Sequence, residues 1–240
     1  MMKQKLFFSL ILTFFLSIFY GQDQKNQFDD NGKRHGYWSK NYPDKNLIRY
    51  SGTFNHGKEI DTFKYYTIDE NKSILSAVKI FNPNNDKAKV IFMTSKGKTI
   101  SEGIMEGKTY IGKWVYYHQD SKNIMIEEYF NNDGQLDGVR TVFYDNAIKA
   151  EMANYKNGKL NGKSEWYSKE DKLTRVSYYL NDELNGKTIY YDNFGNITAE
   201  GNYKEGKKND VWKYYKSGQL QKKIDHTNNV VLFKREKKKR

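Results

Sequence analysis

The histidines and paired acidic residues are the side chains of this sequence that could do acid–base or metal chemistry. None of the histidines has the spacing of a metal-ligand motif such as HExxH. The nearest approach to an acid–base pair is His118 with Asp120, which falls in a predicted turn where polar residues are ordinary. Glu127 and Glu128 are adjacent in a predicted strand, so their carboxylates should face opposite sides and suit solvation better than joint catalysis. The histidines are His35, His56, His118 and His226.

Sequence motifs for nucleophilic or phosphate chemistry are also missing. The chain contains no GxSxG, P-loop or GxGxxG pattern. We therefore predict no catalytic residue, no metal site and no cofactor, and a protein that is not an enzyme.

Basic residues form the second chemical feature. The net charge is +12, from 41 Lys and Arg against 29 Asp and Glu, which suits an anionic partner such as an acidic protein, a membrane surface or a nucleic acid. Two interpretations fit the basic residues at the end of the chain: a solvated tail, or a contact with an anionic membrane. Export, predicted below, argues against nucleic acid. The residues available for the membrane contact are Lys234, Arg235, Lys237, Lys238, Lys239 and Arg240.

The first 21 residues have the layout of a secretory signal peptide. A short basic start, MMKQK, precedes the apolar run LFFSLILTFFLSIF, and YGQDQ adds a small residue and a polar stretch. The apolar run is shorter than the roughly 20 residues that span a bilayer, which favours cleavage near Gly21 over retention as an anchor. We therefore predict export through the Sec pathway to the periplasm, the cell surface or the medium. The chain has no cysteine, so the fold forms without disulfides.

A repeat of 24 to 26 residues organises the rest of the chain. It is marked by an aromatic residue in each of eight slots, in a chain that is only 16% aromatic, and the residue before the slot is usually also large and apolar. Gly or Asp recurs five and nine residues before the slot, and such residues tolerate a positive φ. The aromatic slots are Tyr42, Tyr66, Phe92, Tyr117, Phe143, Tyr167, Tyr191 and Tyr215.

The residues between the turns alternate with period two, which is typical of half-buried β-strands. In the stretch NITAEGNY we expect Ile197, Ala199, Gly201 and Tyr203 to share one side of the sheet. Each repeat therefore predicts a β-hairpin that buries its apolar side chains against the next hairpin. The predicted fold class is all-β, an elongated single-sheet array of about eight stacked antiparallel hairpins. The slot aromatics would form a ladder across it.

Several segments of the repeat resemble a known family. The segments GNYKEGKKNDVWKYYKSGQL, NGKLNGKSEWY, ELNGKTIYYDNFGNITAEG and IGKWVYY resemble the MORN-repeat variant, a bacterial tandem hairpin repeat that includes a group labelled YwqK-type antitoxins. The resemblance implies a stacked hairpin sheet with a role in binding or scaffolding. It is weaker over residues 82–98, which lack the glycine slots. The predicted organisation is a signal peptide (1–21), a linker (22–30), the repeat array (31–225) and a basic tail (226–240).

Three functions of different classes follow. The first is an exported, non-catalytic scaffold that binds another protein or an envelope component through its aromatic sheet. The second, which rests on the family label, is an antitoxin or immunity-like protein that neutralises a toxin. The third is a membrane-surface organiser acting through the basic tail. For the first, the predicted binding residues are the exposed aromatics Tyr117, Tyr167, Tyr191, Trp212, Tyr214 and Tyr215.

Overall fold

The computed structural model describes residues 25–236 as one open antiparallel sheet of 19 strands, with no helix in that range. The predicted all-β fold class and the tandem hairpin architecture are thereby confirmed. The signal peptide predicted for residues 1–21 lies outside the described residues. The strands are β1 (Gln27–Phe28), β2 (Arg34–Asn41), β3 (Ile48–Asn55), β4 (Lys58–Asp69), β5 (Lys72–Phe81), β6 (Lys87–Met93), β7 (Thr99–Glu106), β8 (Thr109–Tyr117), β9 (Ile124–Phe130), β10 (Gly138–Phe143), β11 (Lys149–Lys156), β12 (Lys159–Tyr167), β13 (Leu173–Leu180), β14 (Glu183–Leu184), β15 (Gly186–Tyr191), β16 (Ile197–Lys204), β17 (Lys207–Lys216), β18 (Gln219–Asp225) and β19 (Val230–Lys234).

Strands that follow one another in the chain are neighbours in the sheet. β2 pairs with β3, β3 with β4, and this order continues to β18 and β19, with the short β14 set beside β13 and β15 pairing with β13 directly. Every such pair is antiparallel, because hairpin turns reverse the chain between neighbours. A single layer results, in which each repeat contributes two strands.

A β-bulge recurs at the same place in all eight repeats and fixes their true register. Opposite the slot, the partner strand holds one extra residue, as at Ser76 between the pairs Tyr65–Ala77 and Tyr66–Leu75. The slots found in this way are Asn41, Tyr66, Met93, Tyr117, Phe143, Tyr167, Tyr191 and Tyr215.

Two of the eight predicted slots were wrong by one residue. Tyr42 and Phe92 are aromatic neighbours of the true slots, Asn41 and Met93, so the aromatic ladder is interrupted twice. The bulge also explains a second error. Ile197 pairs with Tyr191 whereas Ala199 pairs with Tyr190, so Ile197 lies on the other side of the sheet from Ala199.

The glycine and aspartate slots have the backbone conformation predicted for them. Five residues before the slot, φ is 61° at Gly112, 56° at Asp61 and 55° at Asp210. These residues interrupt the ladder before the aromatic pair and let the strand bend there. The pairing of β5 with β6 shows no register shift, and it lies in the repeat that lacks the glycine slots.

The two sides of the sheet differ in composition. One side, here called the tryptophan face, carries Trp38, Trp114, Trp166 and Trp212 together with the first aromatic of each pair. The opposite face carries the slot residues and alternating lysines and glutamates, such as Lys113 with Glu127. The two adjacent aromatics of a repeat therefore serve two faces, as the strand period requires.

The large rings are buried although the sheet has only one layer. Trp114 is 0% exposed because its ring lies flat on the backbone of Gly103, where an added Cβ would stand 2.3 Å from the ring. Tyr110 stacks on the other side of the indole, with centroids 3.9 Å apart. Phe63 over Gly52 and Trp212 over Gly201 repeat the arrangement. Because glycine lets a ring lie directly on the backbone, it allows the burial that a second sheet provides in a β-sandwich.

The sheet extends beyond both predicted ends of the repeat array. Residues 27–28 pair with β2, inside the predicted linker. At the other end, β19 pairs with β18 and carries the sheet to Lys234, inside the predicted basic tail.

Candidate functional site

The six aromatics predicted to bind a partner do not form one surface. Tyr117, Tyr167, Tyr191 and Tyr215 are slot residues on the opposite face, whereas Trp212 and Tyr214 lie on the tryptophan face. Trp212 is 0% exposed, so its prediction as an exposed ladder residue is wrong. It is buried because Gly201 lies beneath the ring and Tyr203, at a centroid distance of 5.1 Å, packs against it.

The tyrosines of the opposite face are half-buried, and Tyr117 and Tyr215 are bonded into its charged network. Tyr117 donates a hydrogen bond of 2.6 Å to Glu102, and that bond raises the pKa of Tyr117 to about 12. The ammonium of Lys89 lies 2.8 Å from Glu102 and, with Tyr117, lowers the pKa of the carboxyl. Tyr215 donates in the same way to Glu200 at 3.0 Å. These hydroxyls are satisfied within the sheet, so the face presents a mixed-charge surface.

On the tryptophan face, a central row crosses the sheet strand by strand. It begins with Trp38, Gly52, Phe63, Lys79, Val90, Gly103 and Trp114, continues with Glu128, Arg140, Ala153, Ser164, Ser177 and Thr188, and ends with Gly201, Trp212 and Ile224. The section from Glu128 to Thr188, here called the polar stretch, contains none of the large rings that fill the row on either side of it. The central row therefore carries its large rings near both ends and mostly polar residues between them.

The polar stretch begins with a partly buried charge network. Glu128 is 8% exposed and accepts a hydrogen bond of 3.3 Å from Arg140 Nε, while Arg140 Nη1 lies 3.8 Å from Glu151. Burial and the hydrogen bond to Glu128 raise the pKa of Tyr116 well above its ordinary value. Glu127 and Glu128 do face opposite sides, as predicted. Glu128 is nevertheless enclosed in an ion pair, so its predicted solvation is wrong.

Buried hydroxyl groups follow the charge network. Ser164, Ser177 and Thr188 are each 1% exposed or less. Thr188 donates to Ser177 at 3.0 Å, whereas the hydroxyl of Ser164 has no hydrogen-bond partner. These small residues leave room above the backbone, and longer side chains from the neighbouring row lean over them.

Arg175 is one of the longer side chains that cover these small residues. Its Cζ lies 4.3 Å from the ring centroid of Trp166 and 5.6 Å from that of Tyr190, so the guanidinium is held by cation–π contacts on two sides. Its Nε donates to Ser177 at 2.8 Å and its Nη2 donates to Tyr179 at 3.2 Å. Among residues 25–236, no carboxylate lies within 4.0 Å of this guanidinium. Arg140, by contrast, has two.

The C-terminal end of the tryptophan face is basic. Lys208 lies 4.1 Å above the ring of Trp212 and donates to Tyr214 at 3.0 Å. Burial, then the nearby Lys208 and Lys222, lower the pKa of His226. Of the cations predicted for a membrane contact, Lys234 and Arg235 flank the end of β19, and Lys237, Lys238, Lys239 and Arg240 lie outside the described residues.

His118, the histidine nearest to an acid–base pair in the sequence, lies in the turn between β8 and β9. His118 donates from Nε2 to the carbonyl of Phe143 at 3.1 Å, which ties one turn to the next repeat, and its ring makes no hydrogen bond with Asp120. Within residues 25–236 no group of three His, Asp or Glu side chains could hold a metal ion. The same range has no helix of the length and apolarity needed to cross a bilayer.

Sequence reasoning missed Arg175 and the polar stretch. The signal available was the residue three before each slot, which reads Trp, Phe, Val, Trp, Arg, Ser, Thr and Trp along the repeats once the register is corrected. Alignment on the aromatic pairs concealed this pattern, because the first and third repeats were shifted by one residue.

The comparisons with known proteins assign no family to this chain. No protein-family profile matches the chain, and no curated protein matches it. Among solved structures, a crystal structure of TcdB2, TccC3 and Cdc42 is similar over 82% of this chain and 13% of that chain, with 13% identity and a TM-score of 0.21. Similarity at that score carries no argument. The tandem hairpin architecture is shown, and membership of the MORN family stays a prediction.

Proposed function

We propose that this protein is an exported, non-catalytic scaffold whose tryptophan face binds a protein partner at the polar stretch. The observation that carries the proposal is the Arg175 guanidinium, which stands on Trp166 and Tyr190 without a carboxylate. A planar guanidinium on aromatic rings, with no acid beside it, is suited to a carboxylate that arrives from another molecule.

The surroundings of Arg175 support this role. Tyr, Trp and Arg are enriched among the residues that dominate binding energy at protein interfaces, and this group contains all three. The side chain is also fixed in place by bonds to Ser177 and Tyr179, so little conformational freedom is lost on binding. Export rests on the signal peptide predicted for residues 1–21.

The test is a comparison of captured partners between matched arginine variants. The tagged chain is purified from the envelope of its own cells, and associated proteins are quantified by mass spectrometry for wild type, Arg175→Gln and Arg49→Gln. Arg49 is an exposed arginine that occupies the bulge position of the first repeat, so it controls for loss of one positive charge.

We expect one partner to be retained by wild type and Arg49→Gln and reduced about tenfold with Arg175→Gln, as for loss of a charge-assisted bond. Thermal unfolding of each variant shows whether the sheet stays intact. A partner retained equally by all three chains would place binding elsewhere on the sheet. Capture of no partner at all would count against a binding scaffold.

A further inference from the structure

The two edges of the sheet differ in how far their backbone N–H and C=O groups are paired. At the N-terminal edge, Asn26 covers β2: its N–H donates to the carbonyl of Tyr37 at 2.9 Å, and its side-chain oxygen accepts from the N–H of Ser39 at 2.9 Å. β1 adds two paired residues beside it, and Trp38 Nε1 donates to the carbonyl of Gln27 at 3.0 Å. The polar backbone groups of this edge are therefore largely occupied.

The C-terminal edge has no such cover. β19 pairs with β18 on one side, and among residues 25–236 no strand pairs with its other side. Its four apolar side chains are all exposed, including Leu232 at 54% and Phe233 at 40%. An open edge with unpaired N–H and C=O groups accepts a further strand readily, and soluble proteins usually protect such an edge.

The charge around β19 indicates what kind of strand fits. Lys222 and Lys234 are paired residues on the tryptophan face, and Lys223 and Phe233 are paired on the opposite face. None of these lysines forms an ion pair with a described carboxylate. Of the two acids nearest in sequence, Asp225 is committed to its own turn, where it accepts bonds from Thr227 and Asn228, and Glu236 is exposed and forms no ion pair with a described cation.

We infer that β19 is a docking edge for an extended acidic segment of another protein, which pairs with it as a twentieth strand. Backbone hydrogen bonds to the open edge would supply the affinity, and side-chain alternation would supply the selectivity. Acidic residues would lie beside Lys222 and Lys234 on the tryptophan face. Apolar residues would lie beside Phe233 on the opposite face. This edge is separate from the proposed site at Arg175.

A second copy of this chain fits the edge less well. Pairing β19 with β19 of another copy would bring two sets of unpaired lysines together, in chains of net charge +12, and like charges placed across strands are destabilising. Pairing β19 with β2 of another copy would require displacement of the cover formed by Asn26 and β1.

The test measures the binding of short peptides to the full chain by fluorescence anisotropy. The probe is a labelled eight-residue peptide of alternating valine and glutamate, which places all its acids on one side when extended. One control peptide has the same sequence with every backbone nitrogen methylated, so it keeps the charge but has no N–H on either edge to donate to a strand. A second control replaces glutamate by lysine.

The protein variants are matched for charge. Lys222→Glu with Lys234→Glu reverses the charge at the edge, whereas Lys122→Glu with Lys156→Glu makes the same change at two exposed turn and strand-end positions of other repeats. We expect the edge variant to bind the acidic peptide at least about tenfold more weakly and the control variant to bind it like wild type. Methylation should abolish binding, and the lysine peptide should not bind. Circular dichroism of both variants checks that the sheet is retained.

Several results would overturn the inference. Equal binding of the methylated peptide would mean attraction by charge without strand pairing. Sedimentation of the wild-type chain as a dimer that dissociates with Lys234→Glu or Leu232→Pro would assign the edge to a second copy. Displacement of the peptide by vesicles of anionic phospholipid, with no effect of methylation, would assign it to a membrane. Because Arg175→Gln should leave peptide binding unchanged, failure at the edge and failure of the proposed function are distinguishable.

Discussion

Around β8 the central row of the tryptophan face holds an indole lying on glycine, whereas from β10 to β15 the same row holds an arginine, an alanine and three hydroxyl residues. Trp114 and Thr188 are both 0% exposed, so each side chain is fully buried. Burial is reached by opposite means: in the first section one large ring fills the space, and in the second section long side chains such as Arg175 lean over small ones. The stabilising free energy should therefore be concentrated in the aromatic sections, whereas the polar stretch holds the fixed polar groups that we propose for binding.

The largest expected effect is the loss of the ring that fills an aromatic section. Trp114→Ala should lower the free energy of unfolding by about 3 to 5 kcal/mol, because a fully buried indole leaves a cavity beneath Tyr110. Urea denaturation followed by circular dichroism measures the change. An effect below about 1 kcal/mol would mean that the aromatic sections are no more important to stability than the polar stretch.

The glycine under the ring gives the next test. Gly103→Ala should cost about 1 to 3 kcal/mol, because the new Cβ would stand 2.3 Å from the indole of Trp114 and force it to move. Ala153 occupies the corresponding place in the polar stretch, where a Cβ is already accommodated beside Ser164. Thermal unfolding of Gly103→Ala in a Trp114→Val background serves as the control. The penalty should shrink there, and an unchanged penalty would locate the strain in the backbone instead.

Removal of one partner from the charge network of the polar stretch should lower the free energy of unfolding, whereas removal of both partners should have a small effect. Arg140→Met leaves Glu128 buried without its partner and should cost about 2 kcal/mol, which is below the value for a fully buried pair because both groups retain some solvent contact. Glu128→Gln together with Arg140→Met should recover most of that loss. A double variant that is as unstable as the single one would show that the network contributes more than charge balance.

The smallest effect should come from the unpartnered hydroxyl. Ser164→Ala removes a buried oxygen that has no hydrogen-bond partner, so we expect stability to stay within about 1 kcal/mol of wild type, with the change in the stabilising direction. Chemical denaturation in parallel with Ser177→Ala, which removes the oxygen bonded to both Arg175 and Thr188, is the comparison. Greater destabilisation by Ser164→Ala would reveal a partner for that hydroxyl.

The hairpin architecture could be predicted from the sequence because the signals for strands and turns recur within each repeat. Alternation defines the strands, and the glycine and aspartate slots define where the backbone takes a positive φ, as at Gly112 and Asp210. These are local properties of the chain. The number of repeats and the single-sheet topology follow from them.

The candidate site could not be predicted in the same way, because it depends on the bulge register and on side-chain burial. Tyr42 and Phe92 satisfied an aromatic pattern one residue away from the structural slots at Asn41 and Met93. Trp212 was predicted to be an exposed aromatic, but its ring lies on Gly201 and is fully buried. An aromatic residue thus gives no sign of its exposure until the residue across the strand is known.

The order of the strands in the sheet, which is the order of the chain, also has a consequence for how the molecule acquires its structure. Each strand pairs with a strand about a dozen residues away, so the entropic cost of closing each loop is small. Pairing therefore requires no contact between segments that are distant in sequence. Folding can nucleate at any hairpin and spread outward by neighbours. The sheet can therefore grow as the chain lengthens, one strand at a time, and β19 is the last of the described strands to be added.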